Sequence, residues 1–181
     1  TLAFDGRRGE FFRKELLNAL KIIDEGHISA NNMKSGWAGA IGQAQFMPSS
    51  FLNYAQDWDG DGKKDLWGNE KDVFASIAFY LKSADWKNDI TWGRQVLLPE
   101  DKNFVKLAKN KKYLTLREWE NLGVRNLDGS LLPERNLSAR LITSETSKIA
   151  FLGYSNFDSI LKWNRSIYFA ASVGRLSDAL R

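Results

Sequence analysis

The sequence predicts a mainly helical α+β protein: a helical domain made of residues 1–85 and 151–181, with a small mixed α/β insertion over 86–150. Three observations carry this. Apolar residues recur at three- and four-residue steps over 9–25, 72–84 and 156–180, the period of one-sided helices. Between Trp86 and Ile149 the pattern changes to strand-length runs separated by turn residues. The 181 residues, 43% apolar and 27% charged, suffice for one buried core or for a core with an insertion.

In chain order, the first helix is expected over 9–25, with Phe11, Phe12, Leu16, Leu17, Leu20 and Ile23 on one face and Gly26 as its stop. Residues 27–50 carry Gly36, Gly39, Gly42 and Pro48 among alanines and aromatics, which predicts short turns and short helices with close backbone approach. The segment DVFASIAFYLKSA, 72–84, predicts a second helix with Val73, Ile77, Tyr80 and Leu81 on its inner side, widened by Phe74 and Ala78. In the insertion, WGRQVLLP and SARLITSE predict strands. TLREWENLG predicts a short helix opened by a capping box, Thr115 with Glu118, and stopped by Gly123. NFDSILKWN and SIYFAASVGRLSDAL predict two closing helices.

Composition removes several function classes. No run of about 18 apolar residues could span a bilayer, and the scattered charges, net +4, argue against nucleic acid. Without Cys there is neither disulfide nor thiol chemistry, and the single His27, expected at the surface, makes neither a triad nor a His metal site. Ser49 and Ser50 lack the nucleophile-elbow pattern. KLAKNKKY, 106–113, reads as a solvated face. Seven Trp among the aromatics exceed what a small core needs, so some rings are expected to line a groove.

The segment DWDGDGKKDLW, 57–67, follows a calcium-loop pattern over its first nine places. Asp57, Asp59 and Asp61 take positions 1, 3 and 5, Gly62 supplies the turn at 6, Lys63 offers its carbonyl at 7, and Asp65 stands at 9. Position 12 is Gly68, with no side-chain oxygen; the next acids are Glu70 and Asp72. A weakly held structural Ca2+ is expected, because so many close carboxylates repel one another without a cation. The alternative is a solvated turn in which Asp side chains bond nearby amides. In neither case does the loop carry chemistry.

Ala38-Gly39-Ala40, Gly42, the QFMPSS run over 45–50, the acidic loop ending Leu66-Trp67 and the helix end Ala78 to Lys82 resemble the lytic murein transglycosylases of the B type. These are a lysozyme-like family that cleaves peptidoglycan. SILKWNRSIYFAASVGRLSDAL resembles that family's closing helices. The likeness is strongest over 36–82 and 157–180 and thinnest over 86–150.

The resemblance implies a lysozyme-like helical domain with a groove, and non-hydrolytic cleavage of the bond between N-acetylmuramic acid and N-acetylglucosamine, closing a 1,6-anhydro ring. One Glu acts there as acid and then base. It implies sugar contacts at Gln45, Phe46, Tyr80, Trp163 and Asn164. It also implies one at Gly36, where the family commonly has a Ser aimed at the catalytic Glu; Ser35 stands beside it. Glycan strands are the implied partner, and a monomer in the periplasm the implied setting, with a lipid anchor in a part preceding Thr1. No cofactor is needed for the chemistry. The family's catalytic Glu falls in a Glu-x-x-x-Gly segment matched before Thr1. Glu10, Glu15 and Glu145 stand outside its context, so no catalytic residue is nominated, and a fragment of a longer enzyme, inactive alone, is expected. A non-catalytic peptidoglycan-binding or calcium-binding module is the second reading.

Overall fold

A computed structural model describes residues 2–4, 7–100, 103–143 and 149–180. Glu145 and the end of the SARLITSE run lie outside the described residues. The contacts divide the chain into two compact units, 1–83 and 84–181.

In the first unit, helix α1 (Gly9–Asp24) ends where Gly26 turns left-handed at φ 79°. Its buried line is not the expected apolar face. Ile22 and Glu15 are buried, whereas Leu16, Leu17 and Leu20 are more than half exposed. The burial of Glu15 is polar in origin: its carboxylate accepts the Ser49 N–H at 2.8 Å and the Ser49 hydroxyl at 2.7 Å. Ser49 opens helix α2 (Pro48–Tyr54), whose Met47 cap position supplies no side-chain acceptor. A carboxylate at those orphan amides satisfies the donor and the helix dipole together, and it holds Glu15 inward. Helix α3 (Glu70–Ser83) buries Val73, Ser76 and Asp72, while Phe74 and Ala78 point to solvent rather than widening the inner face. Between α1 and α2 the glycine-rich segment forms backbone bridges Ser35 to Ile41 and Ile41 to Phe46, with Ile41, Ala44 and Phe46 buried beneath.

The second unit is built on an antiparallel five-stranded sheet. Its strands are β1 (Gly93–Leu97), β2 (Tyr113–Thr115), β3 (Arg125–Asn126), β4 (Ser138–Ile142) and β5 (Ala150–Gly153), in the order β2-β4-β5-β1-β3. Helices α4 (Val105–Lys109) and α5 (Leu116–Asn121) fall inside this stretch. The capping box of α5 forms as expected, the Thr115 hydroxyl accepting from the Glu118 N–H and the Glu118 carboxylate accepting from the Thr115 N–H. Strand alternation sorts the two faces. Ala139, Leu141 and Leu152 join Leu116 and Trp119 on one face, while Ile142 joins Phe157, Ile160, Ala170 and Trp92 on the other.

Phe157 and Ile160 belong to α6 (Ser155–Trp163), and Ala170 to α7 (Ile167–Ala179). Among the described residues, α6 and α7 thus have core contacts on the sheet. Periodicity reports that a helix has an apolar side but not which partner covers it. Gly174 permits the closest of these contacts, for a Cβ there would lie 2.3 Å from the Trp92 ring. Arg140, 6% exposed, is neutralised by two bonds to Asp158 Oδ1 at 3.1 and 2.9 Å and lies 5.2 Å from the Phe157 ring centre. The Tyr113 hydroxyl donates to the second Asp158 oxygen. Burial, reinforced by that carboxylate, pushes the Tyr113 phenol up to about 12.

Candidate functional site

The glycine-rich turn of the first unit holds the candidate sugar-contacting residues in two groups. Gly36 N–H donates to the Ala40 carbonyl at 2.8 Å and Gly39 N–H to the Gly36 carbonyl at 3.0 Å, closing a tight loop that leaves Trp37 90% exposed. Gln45 follows in the left-handed region at φ 51°, its Nε2 donating to the Gly42 carbonyl at 2.8 Å. A Cβ at Gly36 would stand 3.2 Å from Gln45 Oε1, so the missing side chain at 36 is what leaves room for this carboxamide. Gly36 and Gln45 line a cleft of about 440 Å3 with Gln43 and Trp67. Gly36 also borders a second cleft, about 350 Å3, that includes Glu15 and Trp37.

Phe46, expected at the sugar surface, is 2% exposed. Its amide and carbonyl are both tied to Ile41, which turns the ring into the core. Tyr80 is half-buried, 5.6 Å from the Phe46 ring and 4.7 Å edge-on from Tyr54. Phe46 thus supports Tyr80 from beneath. In the second unit, Trp163 ends α6 half-buried. Asn164 is exposed, and its Oδ1 accepts the Ser166 N–H at 3.0 Å between the two closing helices. Glu15 has both carboxylate oxygens engaged by Ser49, and Glu10 is exposed on α1.

The acidic loop is organised by its own backbone. Asp57 accepts from the Gly60 and Gly62 amides at 2.8 and 2.9 Å, Asp61 from Lys63 at 2.8 Å, and Asp65 from Trp67 and Gly68 at 2.8 Å each. The carboxylates brought together are those of Asp57, Asp59 and Asp72, each with an oxygen within 4.8 Å of the others. Asp61, Lys63 and Asp65 instead line a neighbouring cleft with His27. Asp72, not part of the expected ligand set, comes from the first turn of α3. It is fully buried and accepts the Trp58 and Asp65 amides, both at 2.8 Å. Its place fifteen residues after Asp57 lies beyond the twelve-residue template, which is why motif counting passed over it. Three carboxylate oxygens at this spacing fit a hard, oxygen-seeking cation such as Ca2+, whose service here would be to fix the loop.

His27 is more enclosed than a surface residue. Its ring lies 5.5 Å from Phe51 and its Nδ1 accepts the Lys64 N–H at 3.2 Å. Burial, then the Lys64 charge, lowers its pKa from the ordinary 6.5. The unfolded chain therefore binds the proton more tightly, so this contribution to stability is complete above about pH 6.5 and is lost as pH falls through the lowered value. The melting temperature of the chain is expected to fall over that window, and less steeply in His27→Asn, whose Oδ1 can take the same N–H without titrating. Parallel pH profiles in the two proteins would sink the assignment.

A family model described as the transglycosylase SLT domain matches residues 1–178. The chain belongs to the SLT-domain transglycosylase family. Among this family's curated members, the membrane-bound lytic murein transglycosylase B of Escherichia coli K12 is 31% identical over 183 residues, covering 99% of this chain and 49% of the relative. Among solved structures, SltB3 of Pseudomonas aeruginosa, in complex with NAG-anhNAM-pentapeptide, superposes with a TM-score of 0.93 at 42% identity, covering 99% of this chain and 48% of that one. Escherichia coli Slt35 in complex with calcium superposes with a TM-score of 0.81 at 28% identity, covering 99% and 56%. The chain spans about half the length of the relatives it matches.

Proposed function

We propose that this SLT-domain chain supplies the glycan-holding part of a lytic transglycosylase that cuts peptidoglycan between N-acetylmuramic acid and N-acetylglucosamine, leaving a 1,6-anhydro end. The observation that carries this is Gln45. A non-glycine residue held at φ 51°, at the mouth of a cleft, with one end of its amide fixed to Gly42, is backbone strain kept where recognition needs it. Its Oε1 faces Gly36, and Trp37, the next residue in the chain, is 90% exposed; an amide acceptor and a flat ring are groups that suit an N-acetyl sugar. Family membership and the peptidoglycan fragment bound by SltB3 support the same ligand.

Tyr80, resting on Phe46, is proposed as a second contact in the first unit. Trp163 and Asn164 are proposed as contacts offered by the second unit. Asp57, Asp59 and Asp72 would hold Ca2+, a reading supported by the calcium in Slt35. The setting is proposed as the periplasm, in keeping with the membrane-bound relative; among the described residues no helix is long and apolar enough to cross a membrane.

The test is to incubate the chain with purified sacculi. It is expected to sediment with them, and Gln45→Ala to weaken that association about tenfold, the loss of roughly one well-made hydrogen bond to a positioned sugar. Undiminished sedimentation of Gln45→Ala would remove the assignment. Release of 1,6-anhydromuropeptides would place the acid among these 181 residues; binding without release would place it elsewhere in the longer enzyme.

A further inference from the structure

We propose that a cleft in the second unit binds the peptide stems of peptidoglycan, with the Arg175 guanidinium anchoring a stem carboxylate. The inference rests on peptidoglycan being the ligand and names a site separate from the sugar contacts. The cleft, about 560 Å3, lies where β4 and β5 meet α7, with Ile142, Phe151 and Ile167 among its apolar residues and Tyr168 and Ser172 as hydroxyl-bearing ones. That volume is within the range of roughly 300–1,000 Å3 typical of small-ligand sites. Ile167 and Tyr168 are 43% and 83% exposed, leaving apolar surface on α7 without cover among the described residues.

Among the described residues lining the cleft, Arg175 is the one that is charged. Its Nη1 donates to Gln95 Oε1 at 2.6 Å, a neutral partner on β1, and none of the ion pairs among the described residues includes it. Among the described residues its charge therefore has no ion-pair partner, and four of its five N–H groups are not used by Gln95. The planar guanidinium is the side chain best matched to a carboxylate, which it can grip through two parallel bonds. Three ligand properties follow from this lining: a negative charge, small aliphatic groups, and amides that hydroxyls can meet. N-acetylglucosamine lacks the first, and in stem-bearing glycan the muramic lactyl carboxylate is taken up in the amide to the stem. A peptide stem of small aliphatic residues with free carboxylates has all three.

The 181-residue chain, labelled with 15N, would be titrated with a sugar-free stem pentapeptide and, separately, with a peptide-free glycan. The pentapeptide is expected to shift the amide signals of Ile142, Phe151 and Ala171. Arg175→Gln should weaken its binding about tenfold, with Arg175→Lys retaining most of it. Ile167→Glu, at an exposed position, should weaken binding likewise by setting a like charge in the cleft. The proposal is overturned if the pentapeptide leaves these signals unmoved, or if it binds Arg175→Gln and Ile167→Glu as tightly as the parent chain. It is equally overturned if the same signals shift on raising protein concentration alone, which would make a second copy the occupant. A glycan that fails to bind while the pentapeptide shifts persist would count against the Gln45 reading and leave this cleft standing.

Discussion

Replacing Gly42 by Ala is expected to destabilise the first unit by about 2–5 kcal/mol, the largest effect of any single methyl group placed there. Two independent terms add. Gly42 lies at φ 65°, where a Cβ costs about 1–2 kcal/mol in left-handed backbone. That Cβ would also stand 2.6 Å from Leu66 Cβ and 2.7 Å from the Leu66 carbonyl oxygen, closer than any relaxed contact. Leu66 is fully buried and its carbonyl accepts the Gln43 N–H at 2.7 Å, so neither partner can retreat without breaking the tie between the glycine-rich turn and the end of the acidic loop. Forced overpacking of this kind costs about 1–3 kcal/mol. Gly26→Ala separates the terms: its φ is 79° but nothing lies within 4 Å of its Cβ, so it bears the backbone cost alone. For a unit of this size the melting temperature should drop by about 4–8 °C per kcal/mol. Equal losses in the two variants would show that Leu66 yields freely and that the close approach is not a constraint.

Asp72→Ala is the second large effect, expected at about 2–5 kcal/mol. The carboxylate is fully buried and closes the acidic loop by accepting one amide from its beginning, Trp58, and one from its ninth place, Asp65. Removing it leaves two N–H donors without a partner, each costing about 1–3 kcal/mol where water cannot replace it. The same substitution removes one of the three oxygens available to a cation. Calcium should raise the melting temperature of the parent chain in proportion to the logarithm of its concentration above the dissociation constant, and should do so far less in Asp72→Ala or Asp59→Ala. Asp59 is exposed, so its loss should remove the calcium response with little change in the metal-free melt. Asp72→Ala within about 0.5 kcal/mol of the parent would mean that water reaches both amides. A calcium response intact in both variants would move the ion away from this cluster.

The helices were legible because their signal is local. α1, α3, α6 and α7 appear within two residues of their expected positions, and Thr115 with Glu118 marked the start of α5 through two reciprocal bonds made three residues apart. The strands at 93–97 and 138–142 could be read from β-branched and aliphatic runs, but not their order: that β5 lies between β4 and β1 depends on pairings 9 to 60 residues apart in the chain. The two misread faces have specific causes. On α1, Glu15 is held inward by the open end of α2, a partner 34 residues away. Phe46 went into the core because its backbone is bridged to Ile41, whereas apolar character alone suits a groove and a core equally.

The candidate site divides in the same way. Gln45, Gly36 and Tyr80 were marked by residue types in a recognisable order, and so was the family. What no local pattern contains is that Gly36 is vacant so that the Gln45 carboxamide can stand over it, that Asp72 rather than Asp61 or Asp65 joins Asp57 and Asp59, and that Arg175 meets the Gln95 amide oxygen. The sequence by itself determined which segments are helical, where the chain can turn, and which family it belongs to, since these depend on neighbours within a few positions. Only the tertiary structure decided which side of each helix is buried, which acids converge and which distant acceptor Arg175 meets, because each of those is an electrostatic or steric balance between groups that only folding brings together.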